Sequence, residues 1–158
     1  MLPKVAVLSL GGTISSVRGS GPGVVPRLTG RDLVESVPQI AEVAEVEAES
    51  VRQVPSSDLT IEDLVEVAGE AASRLRSGAE GVVITQGTDS IEETAFAMDL
   101  LVEGEKPVVV TGAMRNPTLP GADGPANLLG AVRVAASDAA RGLGALVVMN
   151  DEIHAARF

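Results

Sequence analysis

Four short, almost wholly apolar runs constrain this chain more than any other feature: residues 5–10 (Val-Ala-Val-Leu-Ser-Leu), 82–85 (Val-Val-Ile-Thr), 108–111 (Val-Val-Val-Thr) and 145–149 (Ala-Leu-Val-Val-Met). A strand with one face in water alternates apolar with polar residues. A run that does not alternate is buried on both faces, as in a parallel sheet sandwiched between helices. Each run also ends in small or polar residues, so the chain turns sharply where each strand stops.

Helical patterns fill the gaps. Thr60-Ile-Glu-Asp63 reads as a capping box, with Leu64, Val65, Ala68, Ala72 and Leu75 at helical spacing behind it and Gly78 as the stop. Ser90-Ile-Glu-Glu93 repeats the signature ahead of Ala95, Met98, Leu101 and Val102, with Gly104 as the stop. Asp123 is placed as the cap of a helix that starts near Pro125 and runs through Leu128, Leu129, Val132 and Ala136 up to Gly142. A shorter helix from Gly30 to Val37, stopped by Pro38, and a strand over Glu45–Val54 complete the alternation. The expected fold class is α/β: a doubly wound, mostly parallel sheet of about five strands with helices on both faces, in three layers. Residues 1–158 are expected to form one domain, with a mobile loop at Gly19-Ser-Gly-Pro-Gly23.

Composition narrows the partners. There are 22 acidic against 12 basic residues, a formal net charge of −10, which repels phosphate backbones and anionic lipid. With two Phe and no Trp or Tyr, stacking platforms for bases are unavailable. No nucleic acid and no membrane partner is expected, and no apolar run has the length a bilayer demands. The first strand's apolar run is too short for a signal-peptide core, so a cytoplasmic protein is expected. The absence of Cys removes disulfides, a thiolate nucleophile and Cys-ligated metal. His154, the only histidine, lacks companions for a metal site or a Ser/His/Asp triad. No metal and no cofactor is expected, and no G-x-G-x-x-G or Walker-type sequence is present. Glu92, Glu93, Asp99 and the acidic run from Glu42 to Glu49 are assigned to exposed faces, and the four Met residues to core filling.

Open α/β sheets bind ligands beyond the carboxyl ends of their strands. There stand Gly11-Gly12-Thr13, Gln86-Gly87-Thr88-Asp89, Gly112-Ala113-Met114-Arg115 and Asn150-Asp151. Thr13 is either a cap for the next segment or a reactive hydroxyl where backbone donors converge. Ser90 and Glu93 suffice as helix caps, which leaves Thr88 and Asp89 without a structural duty. Asp89 is therefore either a solvated turn residue or a ligand for an ammonium group.

Longer stretches around these residues resemble the asparaginase family. Leu10-Gly-Gly-Thr-Ile14 is similar to its first signature and Val83-Ile-Thr-Gln-Gly-Thr-Asp-Ser-Ile-Glu-Glu-Thr-Ala95 to its second. Lys106-Pro-Val-Val-Val-Thr-Gly-Ala-Met-Arg115 and Ala122-Asp-Gly-Pro-Ala-Asn127 extend the match, as do residues 144–151. The resemblance implies a flavodoxin-like sheet and hydrolysis of L-asparagine to L-aspartate and ammonia. Thr13 would attack the side-chain amide carbon, Thr88 would stand as a second hydroxyl near the carbonyl, and the N–H groups of Thr13 and Thr88 would form the oxyanion hole. Asp89 would hold the α-ammonium and Ser56 the α-carboxylate. Ala113 would offer its carbonyl to the leaving amide, and Gly12, Gly87 and Ser57 would line the same site. Ser57 stands where the periplasmic type often has Gln, which leaves the choice between asparagine and glutamine open.

Three departures accompany the resemblance. The family's lid carries a Tyr that helps to activate the nucleophile, whereas this chain has no Tyr and presents Ser15 to Arg27 there. Its catalytic Lys would fall just past Asp151-Glu-Ile-His-Ala-Ala-Arg-Phe158, and its smaller C-terminal domain beyond that. A sheet that normally packs on such a domain is expected to leave apolar surface, so a homo-oligomer is expected. Three functional readings stay open: an L-asparagine amidohydrolase, a catalytically incomplete fragment that binds aspartate or asparagine, and the amidase subunit of a tRNA-dependent amidotransferase.

Overall fold

The apolar runs form the centre of one sheet. The computed structural model describes residues 1–18, 24–26 and 28–158. Its strands are β1 (Lys4–Gly11), β2 (Ser16–Arg18), β3 (Val24–Pro26), β4 (Glu45–Val54), β5 (Gly81–Thr85), β6 (Val108–Thr111), β7 (Ala145–Met149) and β8 (Glu152–Ala155). The helices are α1 (Gly30–Glu35), α2 (Ile61–Arg76), α3 (Ile91–Leu101) and α4 (Gly124–Ala135). The main sheet runs β4-β1-β5-β6-β7-β8, parallel from β4 to β7 and antiparallel at β8. β2 and β3 form a separate antiparallel pair. The expected Gly19–Gly23 loop lies outside the described residues.

Every residue of β5 and β6 is buried, as runs without alternation require. Val5, Val7, Val83 and Val109 point to the layer containing α1 and α4, where Leu33, Leu128, Ala131 and Val132 meet them. Ala6, Leu8, Val82, Ile84 and Val110 point to α2 and α3, against Val67, Ala71, Ala95 and Met98. Apart from Met98 the core is aliphatic. Met1 and Met114 are exposed, so the four methionines are not all core fillers.

Within the main sheet, β8 is the strand that hydrophobicity alone did not reveal, as β2 and β3 are outside it. It is short and mostly exposed, and it exists because Asn150 (φ 53°) and Asp151 (φ 62°) both adopt left-handed backbone. Two successive left-handed residues make the tight turn that folds β8 back on β7. At the opposite edge β4 carries exposed Glu45, Glu47 and Glu49, and Arg74 on α2 pairs with Glu47, Glu49 and Glu70. A charged edge strand resists pairing with another chain.

Two helices start where expected, with Ser90 and Asp123 at their N-caps, but neither side chain caps its helix. Ser90 stands at the N-cap of α3 without capping it; its Oγ donates instead to the Ser56 carbonyl at 3.0 Å. Asp123 makes no side-chain cap on α4 and turns toward the loop after β6. α4 also stops at Ala135, well before Gly142, because residues 138–140 form a separate 3-10 turn. Asp99, expected on an exposed face, has a side chain only 4% exposed. Its carboxylate accepts from the Ala145 N–H at 2.9 Å and from Arg157 Nε at 2.7 Å. The Arg157 guanidinium is the largest cause of the lowered pKa of Asp99, ahead of the opposing effect of burial.

The capping box at Thr60 is present. Asp63 N–H donates to Thr60 Oγ1 at 3.2 Å, and the Asp63 carboxylate accepts from Thr60 N–H at 3.0 Å and from Arg52 Nε at 2.9 Å. The Thr60 N–H first, then Arg52 and the Thr60 hydroxyl, hold Asp63 down at about 2. Because its ordinary pKa is 3.8, this contribution is complete above about pH 4 and disappears as pH falls toward 2. Asp63→Asn should therefore reduce the loss of melting temperature between pH 4 and pH 2. An acid-melting profile parallel to that of the parent would show that the box contributes nothing.

Candidate functional site

The order β4-β1-β5-β6-β7 changes direction between β1 and β5, because the chain leaves β1 toward one edge and later returns on its other side. In an open α/β sheet that switch point leaves a crevice beyond the strand ends. The residues after β1 and β5 are Gly12-Thr13 and Gln86-Gly87-Thr88-Asp89. The same edge is marked from within the sheet: Ser9 lies in register with Ser50 and Thr85, and Thr85 with Thr111, so hydroxyl residues replace aliphatic ones in one row.

The two turns touch through their backbones. A Cβ on Gly12 would lie 2.0 Å from Gly87 N and 2.4 Å from Gly87 Cα, and Gly12 has φ +80°, so no larger residue fits without moving a loop. A Cβ on Gly87 would lie 2.6 Å from Ser56 Oγ, and one on Gly112 would lie 2.9 Å from the Gln86 carbonyl. The turns after β4, β1, β5 and β6 are thus packed side by side, with glycine at each closest approach.

Hydrogen bonds fix what the glycines bring together. The Gly12 carbonyl accepts from Ser15 N–H at 3.1 Å, Ser15 Oγ at 3.0 Å and Ser16 Oγ at 2.7 Å, which immobilises the turn that carries Thr13. Ser56 is 2% exposed and its Oγ accepts from the Asp89 N–H at 3.2 Å, so the hydroxyl proton remains available to an anionic ligand. Gln86 is fully buried; its Nε2 donates to the Gly87 carbonyl at 3.1 Å and to Ser90 Oγ at 3.4 Å. Gln86 and Ser90 therefore tie the β5 turn to the β4 turn. No local sequence signal points to this part for either residue.

Around this frame Thr13 and Thr88 are half-buried, Asp89 and Ser57 are exposed, and Gly12, Gly87 and Ala113 are buried. Thr88–Ser90 form a 3-10 turn that leads into α3, so Asp89 stands at the positive end of that helix. The loop after β6 is held from α4. The Asp123 carboxylate accepts from Met114 N–H at 2.9 Å and Arg115 N–H at 2.8 Å. Burial would raise the Asp123 pKa, but these N–H groups, with its own and the Asn127 amide, together bring it below the usual value. His154 lies elsewhere, exposed and paired with Glu152 at 3.1 Å. Among the described residues, no three His, Asp or Glu side chains gather as a metal site. No helix among them is long and apolar enough to cross a membrane.

The sequence model of the asparaginase N-terminal domain matches residues 4–158. This chain belongs to the asparaginase family. It is 42% identical to "Probable L-asparaginase 4" of Schizosaccharomyces pombe, over 99% of this chain and 45% of the relative. It is 41% identical to a "Glutaminase-asparaginase" of Pseudomonas aeruginosa, over 99% of this chain and 44% of the relative. The crystal structure of a "Probable Cytoplasmic L-asparaginase" from Campylobacter jejuni superposes with a TM-score of 0.93 at 37% identity, covering 98% of this chain and 49% of that one. The chain thus spans under half the length of the asparaginases it matches. The family's α/β fold is the one described above.

The glycine contact gives a direct test. Gly12→Ala should destabilise the domain by about 3 kcal/mol or more, because a backbone-to-backbone overlap adds to the strain of positive φ. Gly69→Ala, in α2 with nothing within 4 Å, should stabilise by about 0.5–1 kcal/mol. Denaturant unfolding of the two variants checks both; a small effect at Gly12 would show that the turns can separate freely.

Proposed function

We propose that residues 1–158 form the substrate-binding, nucleophile-bearing domain of an L-asparagine amidohydrolase, which converts L-asparagine to L-aspartate and ammonia. The observation that carries this reading is the backbone contact of the Gly12 and Gly87 turns at the switch point, with Thr13 directly after one glycine and Thr88-Asp89 after the other. The names of the relatives support the same substrate class.

Thr13 Oγ attacks the side-chain amide carbon of the substrate. The carbonyl becomes an oxyanion held by the N–H groups of Thr13 and Thr88, and collapse expels the amide nitrogen, which leaves as ammonia after taking up a proton. Water then attacks the Thr13 ester, releasing L-aspartate and restoring the hydroxyl. Asp89 pairs with the α-ammonium, Ser56 donates to the α-carboxylate, Ala113 accepts from the leaving amide, and Ser57 with Gly12 and Gly87 shapes the remaining wall. The reaction draws on no metal and no cofactor. The protein acts on a small molecule in the cytoplasm as a homo-oligomer, and whether Ser57 favours asparagine over glutamine is part of the same proposal.

A second reading has its own support. Thr13 requires a base, and the chain's two lysines, Lys4 and Lys106, stand at the amino ends of β1 and before β6, at the opposite edge of the sheet. Lys106 Nζ is engaged with the Leu75 and Ala79 carbonyls at 3.2 and 2.7 Å. On this reading the chain binds aspartate or asparagine without turning it over.

Two measurements separate the readings. Ammonia release from L-asparagine by the 158-residue chain, abolished in Thr13→Ala, identifies an active enzyme. A rise in melting temperature with L-aspartate, lost in Asp89→Ala, without ammonia release identifies the binding reading. An Asp89→Ala protein that binds L-aspartate as well as the parent would sink the role given to Asp89.

A further inference from the structure

The start of α4 reaches two neighbouring loops through one buried side chain. Asn127 is 3% exposed, and its carboxamide is used at both ends. Nδ2 donates to the Gly112 carbonyl at 3.0 Å and to Asp123 Oδ2 at 3.0 Å, while Oδ1 accepts from the Asn150 N–H at 2.9 Å. Asp123 in turn receives the N–H groups of Met114 and Arg115. Ala113 is therefore bracketed: the carbonyl before it and the N–H after it are both bound to α4. The Asn150 N–H belongs to the left-handed turn that joins β7 to β8.

No other neutral side chain of this size gives two donors and an acceptor in one plane. Asp at 127 keeps the acceptor for Asn150 but, when ionised, places a carboxylate against the Gly112 carbonyl and the Asp123 carboxylate. Leu at 127 removes both ends of the link.

We infer that Asn127 is a positioning residue that locks the Ala113 peptide and the Asn150-Asp151 turn to each other, so that the Ala113 carbonyl is presented to the carboxamide of the substrate. This rests on the proposed function, which gives Ala113 that partner. The consequence is selective: α-ammonium and α-carboxylate recognition at Asp89 and Ser56 is built on the β4 and β5 turns and does not pass through Asn127, whereas carboxamide recognition on the β6 loop does.

The test uses the 158-residue chain in a Thr13→Ala background, so that L-asparagine binds without turnover, with Asn127→Asp and Asn127→Leu added separately. Calorimetry gives the affinities for L-asparagine and L-aspartate, and hydrogen exchange followed by NMR gives the protection of the Asn150 amide. Asn127→Asp should weaken L-asparagine about tenfold, the effect of one hydrogen bond made or lost, while L-aspartate stays within about twofold. The L-asparagine defect should shrink as pH falls and the new carboxyl takes a proton it can donate. Asn150 protection should persist in Asn127→Asp and fall at least about tenfold in Asn127→Leu. Equal loss of both ligands, or unchanged L-asparagine affinity in Asn127→Asp, overturns the positioning role. If the parent background binds neither ligand, the reading of the site itself fails and the role falls with it. Unchanged Asn150 exchange in a folded Asn127→Leu protein overturns the link independently of any ligand.

Discussion

The contact between Gly12 and Gly87 is the constraint on which the rest of this site depends. Parallel strands lie a fixed distance apart, and the turns leaving them normally diverge toward their helices on opposite faces. Here the turns after β1 and β5 meet backbone to backbone, with Gly12 at φ +80° and no room for a Cβ on the side toward Gly87. Because Gly87 in turn abuts Ser56, and Gly112 abuts Gln86, moving any one turn would move the next. The candidate site is therefore a row of interlocked turns at the carboxyl ends of the strands, in which the placement of each turn depends on its neighbours.

Polar side chains then tie this row to the layers above and below it. On one side Gln86 and Ser90 join the β5 turn to the β4 turn through the Ser56 carbonyl. On the other, Asp123 and Asn127 join the β6 loop to α4 and to the β7–β8 turn. Gln86, Ser56 and Asn127 are each buried to 3% exposure or less. Buried polar groups of this kind are costly unless paired, so their presence at the strand ends, beside the aliphatic interior of β1, β5, β6 and β7, separates the part of the domain that packs from the part that holds its loops.

Legibility in the sequence divides along the same line. The four apolar runs, the strand over Glu45–Val54 and the Thr60-Asp63 box are legible because their physics is local: burial on both faces shows as a run, and a capping box spans four residues. The strand ends with Gly12, Thr13, Gly87, Thr88, Asp89 and Ala113 are legible as candidates for the same reason. Ser90 reads as a cap and is not one, because its partner, the Ser56 carbonyl, lies 34 residues away. Asp99 reads as solvated and is buried, because Arg157 is 58 residues away. For such residues the local pattern fits two fates equally, and only the tertiary neighbour selects one. β8 is a different case: Asn150-Asp151 carries a turn signal, but Glu152-Ile-His-Ala155 has no apolar run to announce a strand.

Charge obeys the division as well. Within a chain of formal net charge −10, the acidic residues of the β4 edge and of α2 are partly offset by Arg74 and Arg52. Within the row of turns the exposed charge contributed by the β5 turn is Asp89, at the positive end of α3. A carboxylate there is favoured by the helix and is free of a basic partner from its own turn, so it is poised to attract a cation. In the proposed site, a ligand carrying both an ammonium and a carboxylate would meet Asp89 together with the Ser56 hydroxyl that accepts from the Asp89 N–H. On the proposed reading of the site, that one hydrogen bond ties the backbone of the residue facing the ammonium to the hydroxyl facing the carboxylate, so a shift of either turn would disturb both contacts.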